Sequence, residues 1–438
     1  MMIVMAAVSA AEHEPRATRR AIVLALLLPI PFLSAALIQF DYQAHVSAAL
    51  VLVTGAAVLL LIFPTGRKRS LASENPAGKI DERDIMFSRR LLQPGTDRFE
   101  KHYANRPEHR PLDERFRVKP GLLAKGSSAY DPITFSAADA SFEAVKQFHA
   151  LVDGEPAQEK QGGYPPSEIT AFIKEWALYN GAVSVGVTEL KDYHLYSHVG
   201  RGPDWGQPVD LPHRYAVALT VEMTKEMIAS APLGPTVMES AQQYLSCGAI
   251  ATQIADFIRR LGYPARAHID GNYRVVCPLV ARDAGLGEIG RMGLLMTPQL
   301  GPRVRIAVVT TDLPLVTDGR NFDSTMFEFC RICKKCADVC PPRAISFDDP
   351  GEIDGVRRWQ ISQELCFTFW CAVGTDCARC MSVCPYSHPN NLLHNVARAG
   401  VRNSSLFRRF ALTIDGFFYG RKPPPAPIPS WLDVKKID

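Results

Sequence analysis

The residues best suited to chemistry are cysteines that lie between residues 330 and 385. The first run is spaced C-x2-C-x2-C-x3-C-P and consists of Cys330, Cys333, Cys336 and Cys340. The second run is spaced C-x2-C-x3-C-P and consists of Cys377, Cys380 and Cys384. The first spacing is that of bacterial two-cluster ferredoxins, in which the fourth cysteine of a run binds the other cluster. Structural zinc usually pairs two C-x2-C knuckles instead, so the spacing predicts two [4Fe–4S] clusters.

Each cluster needs four thiolates, and the last cysteine of each run is expected to cross over to the other site. The first site is predicted to consist of Cys330, Cys333, Cys336 and Cys384. The second site is predicted to contain Cys340, Cys377 and Cys380, which leaves one ligand to be found. Cys366 and Cys371 both precede the second run, and the spacing allows either of them to complete the site.

Composition limits the class of protein. The 438 residues are 47% hydrophobic and carry a formal net charge of +4. This length fits two domains with additional segments, and the small charge gives no reason to expect a nucleic-acid partner. Most of the 11 cysteines lie near the two runs, which disfavours a disulfide framework. Cys247 and Cys277 lie elsewhere, and we expect them to be small buried hydrophobic side chains.

The N-terminal region is predicted to be a membrane anchor made of two transmembrane helices. Residues 21–40 and 46–63 are apolar, and a bilayer takes roughly 20 such residues to cross. Arg19 and Arg20 precede the first run, and residues 67–69 are all basic. The positive-inside rule then places both outer ends, and the bulk of the protein, on the cytoplasmic face. The alternative is a twin-arginine export signal, which the second apolar run disfavours.

The remaining chain mixes helices and strands. Residues 64–135 are rich in charge, Pro and Gly, and they are predicted to form a linker and an extended arm. Apolar spacing predicts helices at residues 142–152, 167–179 and 236–261. Runs of β-branched and apolar residues predict strands at residues 182–189, 215–223, 265–268, 275–276 and 304–310. The Pro-rich residues 422–429 are predicted to cross the surface in an extended form.

Gly285, Gly287 and Gly290 form the pattern G-x-G-x-x-G. A dinucleotide-binding fingerprint must open a helix, and the following residues 294–298 do not have a clean helical pattern. We therefore expect these glycines to allow close approach of the backbone to a flat cofactor. The alternative is an ordinary glycine-rich turn between two core elements.

The stretch from residue 239 to residue 389 resembles the cobalamin-dependent reductive dehalogenases. The segments that carry this resemblance are F-I-R-R-L-G-Y at 257–263, A-G-L-G-E-I-G-R at 284–291, G-P-R-V-R at 301–305, T-D-L-P-L at 311–315, G-T-D-C at 374–377 and C-P-Y-S-H-P at 384–389. They are specific in combination, although none of them would be alone. Epoxyqueuosine reductase shares the cobalamin and two-cluster plan but is less similar between Gly285 and Arg305.

The resemblance implies an α+β fold, in which a nitroreductase-like cobalamin-binding core precedes a ferredoxin-like domain with two [4Fe–4S] clusters. The expected divisions are a membrane hairpin at 1–70, a linker and arm at 71–135, the catalytic domain at 136–318, the cluster domain at 319–395 and a C-terminal extension at 396–438. Because no flavin module follows the clusters, we expect electrons to come from a separate donor such as a ferredoxin, flavodoxin or reductase. Cobalamin is expected base-off, without a protein His on cobalt, because no D-x-H-x-x-G motif is present.

The resemblance also assigns roles to individual residues. Tyr244 corresponds to the proton donor, and Arg305 to its basic partner, although Arg303 is close enough for the register to be off by two. Asn272 corresponds to a polar residue that lines the halide site. Cys366 precedes Trp370 as the last cluster ligand does in the family, which makes it the expected eighth ligand. The residues expected on the cofactor side are Gly285, Gly287, Gly290, Arg291 and His388, of which His388 has the alternative of a helix-start residue.

Elementary chemistry accounts for such a set. Replacing a carbon–halogen bond by a carbon–hydrogen bond needs two electrons and one proton, and side chains cannot supply low-potential electrons. A free Tyr titrates near roughly pH 10, so it is a poor acid unless a neighbouring cation stabilises its phenolate. Tyr244 and Arg305 would form such a pair acting on a small organohalide, expected to be aromatic. The alternatives are an epoxyqueuosine-reductase-like enzyme and a non-catalytic electron-transfer subunit, which would not need so large a domain before its clusters.

Overall fold

The computed structural model describes residues 2–37, 42–63, 75–320, 324–353 and 355–434. Its N-terminal helices are α1 (Met2–Ala11), α2 (Pro15–Leu27), α3 (Ile30–Leu37) and α4 (Gln43–Ile62). Within the described residues one helical segment, Pro15–Leu37, is long and apolar enough to cross a membrane, with a mean hydropathy of 2.1. The second predicted apolar run is helical as α4, but the basic residues predicted to flank it, 67–69, lie outside the described residues.

The arm that follows is more structured than the sequence predicts. It contains the short helices α5 (Met86–Arg89), α6 (Asp97–Asn105) and α7 (Arg110–Arg117) rather than extended chain. The Thr96 side chain caps α6 by accepting a hydrogen bond from the Phe99 backbone, which is a helix-start signal that overrides the local richness in charge. The fully buried Arg89 lies 3.3 Å from Asp113 and 2.5 Å from Glu364, so an ion pair ties the arm to the C-terminal part.

The helices of the central part surround a sheet. They are α8 (Pro132–Gln147), α9 (Pro166–Tyr179), α10 (Lys225–Ala229), α11 (Gly234–Arg260) and α12 (Cys277–Asp283). Helix α8 begins ten residues before the predicted start at residue 142, because Asp131 caps it and Pro132 occupies its first turn. The long helix α11 matches its prediction closely and ends where Gly262 adopts a φ of 81°.

The sheet has four antiparallel strands. The strands in chain order are β1 (Ser184–Glu189), β2 (Tyr215–Glu222), β3 (Ala265–His268), the hairpin pair β4 (Glu288–Ile289) and β5 (Leu295–Met296), and β6 (Val304–Thr311). The spatial order of the main sheet is β1-β2-β6-β3, with α11 packed on β6 and β3. Buried Val217, Ile254 and Val309 belong to the core between them. Residues 275–276, predicted as a strand, contribute only an isolated bridge from Val275 to Leu195.

The C-terminal part carries the cysteine runs on short helices. Its elements are α13 (Ser324–Cys333), α14 (Lys335–Val339), β7 (Gly351–Ile353), β8 (Val356–Arg358), α15 (Gln363–Val373), α16 (Arg379–Ser382), α17 (Leu392–Asn403) and α18 (Ser405–Phe418). The mixed helix and strand class predicted from the sequence is confirmed. The predicted domain boundaries stay predictions.

Candidate functional site

The structure gathers four of the cysteines into a first thiol group. Burial raises the pKa of Cys384, and the neighbouring Cys330, Cys333 and Cys336 raise it further. All four are buried, and none is in a disulfide. These are the four residues that the spacing assigns to the first cluster.

A second thiol group forms beside the first. Burial raises the pKa of Cys380, and Cys377, Cys366 and Cys340 are among the neighbours that raise it further. Cys366 therefore lies with the group, and its own pKa is raised to about 12 by burial and then by Cys377 and Cys340. For Cys371, burial raises the pKa to about 11 and Arg90 lowers it, so its electrostatic neighbour is a guanidinium rather than a thiol.

The two runs share a left-handed residue at one matching position. Lys334 follows Cys333 with a φ of 57°, and Ala378 follows Cys377 with a φ of 50°. Each of these left-handed residues caps a short helix, α14 or α16, that carries the next cysteine of the run. The left-handed region is unfavourable for residues with a Cβ, so its use at matching positions indicates that both loops are constrained in the same way.

The donor set suits polynuclear clusters. Eight thiols in two groups of four, all buried except the partly buried Cys366 and Cys380, supply the ligand number that two [4Fe–4S] clusters require. Among the described residues, no three ligand-type side chains converge closely enough to hold a single metal ion. The thiols thus form two open groups rather than a compact mononuclear site.

Arg291 connects the core to the first thiol group. Its Nε donates to the Cys330 carbonyl at 3.1 Å, and its Nη1 donates to the carbonyls of Ser346 and Asp348 at 2.8 and 2.6 Å. The guanidinium is fully buried and lies 4.7 Å from the Trp359 ring centroid. A fixed positive charge is therefore held beside these thiols, and contact of Arg291 with a cofactor stays a prediction.

The glycine run packs tightly against the hairpin that it belongs to. A Cβ at Gly287 would lie 2.2 Å from the Met296 carbonyl oxygen, and one at Gly290 would lie 2.7 Å from the Met296 side chain. Gly285 has a φ of 82° and turns the chain after α12. The run enters strand β4 instead of a helix, as the sequence analysis expected. These contacts make the run a turn between core elements, and approach to a cofactor stays a prediction.

His388 is connected to the first thiol group through a carboxylate. Its Nε2 is 2.9 Å from Asp415 Oδ1, and the other oxygen of that carboxylate is 2.5 Å from Lys335 Nζ. Lys335 lies between Cys333 and Cys336 in the chain, so Asp415 links His388 to this group. Burial lowers the pKa of His388 to about 3, so the ring is neutral.

Tyr244 and Arg305 meet as the sequence analysis expected. The Arg305 guanidinium lies 4.8 Å from the centroid of the Tyr244 ring, with α11 supplying the Tyr and β6 the Arg. Arg305 Nη2 also donates to Ser240 Oγ at 2.5 Å and to Asp376 Oδ2 at 2.9 Å. Ser240 donates to the same carboxylate oxygen. Asp376 precedes Cys377, so this network joins the Tyr244–Arg305 pair to the second thiol group.

The side chains of this pair are not fully enclosed. Tyr244 is surrounded by protein, but its side chain is only half-buried. The side chains of Arg305 and Asp376 keep 13% and 11% of their surface exposed. Arg305 Nε and Asp376 Oδ1 are buried and have no hydrogen-bond partner within the described chain. Burial raises the pKa of Tyr244, and the Arg305 charge partly offsets this. Unsatisfied polar atoms beside solvent-reachable surface are what a bound polar group would complete.

Asn272 and Arg303, two further candidate residues, have partners elsewhere in the structure. Asn272 Oδ1 accepts a hydrogen bond from Arg266 at 2.7 Å, and Arg266 in turn pairs with Asp153. Arg303, the alternative partner for Tyr244, instead donates to the Ser387 carbonyl at 2.7 Å. Arg305 is therefore the arginine that lies beside Tyr244, and Asn272 is bonded to β3 through Arg266. The roles of these residues stay predictions.

Sequence reasoning missed a second tyrosine–arginine pair. Arg201 lies 4.4 Å from the Tyr273 ring centroid and 2.9 Å from Glu82. Burial raises the pKa of Tyr273 to about 12, and the Arg201 charge partly offsets this. The pair lies on the Tyr244 side of the molecule, because Tyr273 and Asp270 both act on the pKa of Tyr244. The only available signal was the glycine-flanked Arg201 loop, which does not reveal its partner.

His194 is already committed to the fold. Its Nε2 lies 2.9 Å from Asp283 Oδ2, and its Nδ1 accepts from the Lys191 backbone N–H at 3.1 Å. Both ring nitrogens of His194 thus have partners within the fold. A surface cavity of 230 Å³ lies beside this pair and is lined by residues including Thr188, Glu189 and Arg320. None of the predicted site residues is among its lining residues.

Comparisons with known proteins agree with the cysteine pattern. Residues 329–388 match the model of the 4Fe-4S dicluster domain family. This span contains both thiol groups described above.

Curated relatives match a larger part of the chain. A tetrachloroethene reductive dehalogenase of Desulfitobacterium hafniense is 36% identical over 220 residues, which are 48% of this chain and 39% of that protein. A tetrachloroethene reductive dehalogenase of Sulfurospirillum multivorans is 29% identical over 299 residues, 59% of this chain and 58% of that protein. The chain thus spans less than two thirds of the length of either relative.

A solved structure shows the same fold. A catabolic reductive dehalogenase in complex with 3-bromo-4-hydroxybenzoic acid superposes with a TM-score of 0.60 at 23% identity. The match covers 83% of this chain and 51% of that protein. It extends well beyond the cysteine runs, so the core that precedes them shares the fold as well.

Proposed function

This chain belongs to the reductive dehalogenase family, and from that premise we propose that it replaces the halogen of a small organohalide by hydrogen. One carbon–halogen bond breaks and one carbon–hydrogen bond forms, with two electrons and one proton consumed and a halide ion released. The observation that carries the proposal is the Tyr244–Arg305 pair, in which Arg305 is hydrogen-bonded to Asp376 beside the second thiol group.

The two thiol groups fit two [4Fe–4S] clusters. The first would be held by Cys330, Cys333, Cys336 and Cys384, and the second by Cys340, Cys366, Cys377 and Cys380. Such clusters supply single electrons at low potential. The protein contributes buried, fixed positive charge at Arg291, which favours the more negative, reduced state of a cluster beside it.

The surroundings of the Tyr244–Arg305 pair fit a second cofactor, because Arg305 Nε and Asp376 Oδ1 are buried without a hydrogen-bond partner in the described chain. Tyr244, Arg305 and Asp376 would face cobalamin bound there without a protein His on cobalt. When bound, cobalamin supplies low-potential reducing power toward the carbon–halogen bond. A nitroreductase-like form of the core belongs to this proposal, as does approach of the backbone at Gly285 and Gly287.

Tyr244 is proposed to donate the proton from its hydroxyl group. Burial raises its pKa, which keeps the phenol protonated at neutral pH and ready to donate. Arg305 remains charged and stabilises the phenolate that donation leaves behind, because an opposite charge favours the ionised form. Asp376 and Ser240 hold the guanidinium over the ring so that this stabilisation is preorganised.

The substrate is proposed to be a halogenated aromatic. A relative of this fold is described with 3-bromo-4-hydroxybenzoic acid, whereas the curated relatives are named for tetrachloroethene. Both classes therefore belong in the test. Protein purified without oxygen and loaded with both cofactor types is given reduced methyl viologen and either bromophenols or tetrachloroethene.

Halide release measures the reaction directly. We expect bromide from at least one bromophenol, and loss of that release in Tyr244→Phe with unchanged iron and cobalt content. Cofactor-loaded protein that releases no halide from either class would contradict dehalogenation. Reduction of epoxyqueuosine in tRNA by the same preparation would favour the RNA-modifying alternative, and full cluster content without bound cobalamin would favour an electron-transfer subunit.

The chain is also proposed to be held at the membrane by its N-terminal helices, with the catalytic part on the cytoplasmic face. The apolar segment Pro15–Leu37 and the exposed helix α4 support this proposal. A twin-arginine signal requires the arginine pair, so conversion of both Arg19 and Arg20 to Lys distinguishes an export signal from a membrane anchor. We expect that variant to remain in the membrane fraction and to stay protected from protease added outside the cell.

A further inference from the structure

Helices α17 and α18 expose apolar side chains at helical spacing. Leu392 and Val396, on one face of α17, are 81% and 61% exposed, and Phe410 and Phe417 of α18 are 43% and 42% exposed. Side chains four and seven residues apart share one face of a helix, so each helix has an outward apolar stripe in addition to its packed one. A soluble surface rarely carries large apolar side chains so close together.

The N-terminal apolar segment is docked against the same helices. Phe418 packs with Ala17 and Ala21 of α2, and the Arg20 guanidinium lies 4.4 Å from the Phe417 ring centroid. Helix α4 contacts both α17 and α18. The exposed faces of α17 and α18 are therefore continuous with the segment proposed to cross the membrane.

The position of Arg20 indicates where this contact lies relative to the membrane surface. It stands immediately before the apolar residues of Pro15–Leu37, where a membrane-spanning helix leaves the headgroup region. Because Phe417 is in contact with Arg20, the C-terminal end of α18 lies at the boundary between lipid and water. Exposed Arg16, Arg19 and Arg409 lie on the same elements and complement anionic headgroups.

The opposite side of α18 touches the first thiol group. Its buried Asp415 is 2.5 Å from Lys335 Nζ and 2.9 Å from His388 Nε2, and Lys335 separates Cys333 from Cys336 in the chain. The helix thus has an exposed apolar face and a packed face on which Asp415 and apolar side chains such as Ala411 lie toward these cysteines.

We infer that α17 and α18 lie on an anionic bilayer surface as an interfacial pair of helices, with the first thiol group directly behind them. The inference rests on the membrane anchoring proposed above and does not depend on the reaction that the protein catalyses. A membrane-bound reductant then meets the first cluster at the bilayer surface, while the second cluster stays on the side of Tyr244 and Arg305.

Photolabelling tests the position of these helices. The full chain is reconstituted in vesicles of phosphatidylcholine and phosphatidylglycerol that contain a diazirine-bearing phospholipid, and labelled residues are identified by mass spectrometry. We expect labels on α17 and α18, near Leu392, Val396, Phe410 and Phe417, in addition to the spanning segment. Phe172 and Tyr179 of α9, which are 49% and 87% exposed, serve as apolar controls and should stay unlabelled.

Substitutions on the exposed faces of α17 and α18 test the position of these helices further. The pair Val396→Asp and Phe410→Asp changes exposed side chains, and we expect it to reduce labelling of α17 and α18 severalfold while labelling of Pro15–Leu37 persists. Phe172→Asp is the matched control and should change nothing. Labels confined to the spanning helices, equal labelling of α9, or protection of α17 and α18 by a second protein would each overturn the inference. Halide release with methyl viologen, measured on the same samples, reports separately on the proposed reaction.

Discussion

The two thiol groups have similar loops but different surroundings. Each loop places a left-handed residue after a cysteine and then a short helix, and each has a carboxylate close by. The carboxylate of the first group, Asp415, belongs to α18 and pairs with Lys335 and His388. The carboxylate of the second group, Asp376, pairs with Arg305, which lies over Tyr244.

This difference gives two repeated loops separate tasks. Ligand spacing defines where a cluster can bind, but the neighbouring side chains define what the cluster communicates with. In the function proposed above, the first group receives electrons from the side of α18, and the second passes them toward Tyr244 and Arg305. The comparison therefore fails if the two groups prove interchangeable or if the network of Asp376, Arg305 and Tyr244 has no effect on the reaction.

The largest effect is expected at Cys366, the proposed eighth cluster ligand. Cys366→Ser should remove one of the two clusters, lower the iron content by about half and abolish dehalogenation, because a relay with one member missing is broken. Cys371→Ser is the matched control, since that thiol neighbours Arg90 instead of the second group. Iron analysis, electron paramagnetic resonance and halide release give the answer. Equal iron loss in both variants would contradict the assignment of Cys366.

The next largest effect is expected at Tyr244. Loss of a general acid typically costs about 10²- to 10⁴-fold, so Tyr244→Phe should lower kcat by that order while the cluster signals stay unchanged. Because burial raises the pKa of Tyr244, the phenol is protonated through neutral pH, and its deprotonation can lower the rate only on the alkaline side. A pH–rate profile of the native protein should therefore show no loss that reflects this group between about pH 6 and pH 9.

A smaller effect is expected from the residue that holds Arg305. Asp376→Asn keeps the shape of the side chain but removes the charge from a hydrogen bond of 2.9 Å. A bond to a charged group contributes about 1.5–3 kcal/mol, so kcat should fall by roughly 10- to 100-fold with little change in KM. The pH–rate profile should also change, because Arg305 would be less firmly placed over Tyr244. Ser240→Ala, which removes the neutral partner, is the milder control, and a native profile in Asp376→Asn would refute the positioning role.

Much of this arrangement could be predicted from the sequence, because it is encoded locally. The cysteine spacing gave the two groups, apolar periodicity gave α11, and a Val-rich run gave β6. The partners of Arg305 could not be predicted, because Ser240 and Asp376 lie 65 and 71 residues away and meet it only through tertiary packing. The choice between Cys366 and Cys371 needed a resemblance to a family, since spacing alone allowed both.

In the N-terminal region, by contrast, the packing of the helices could not be predicted from the sequence. The apolar runs were evident, but their docking on α18 depends on small residues, Ala17 and Ala21, that leave room for Phe418. Small residues carry no distinctive pattern when their partner is some 400 residues away in the chain. The short helices of the arm were missed for a different reason, because single capping residues such as Thr96 were outweighed by the surrounding charge and Pro.

The smallest effect is expected at Arg291, beside the first thiol group only. The buried guanidinium favours the reduced cluster, so Arg291→Gln should lower the reduction potential of the first cluster and leave that of the second almost unchanged. Arg291→Lys keeps the charge but loses the fork that reaches the carbonyls of Cys330, Ser346 and Asp348. A redox titration followed by electron paramagnetic resonance therefore separates charge from geometry. If both variants lower the potential equally, the hydrogen bonds matter more than the charge, and equal shifts at both clusters would remove the electrostatic distinction between the two groups.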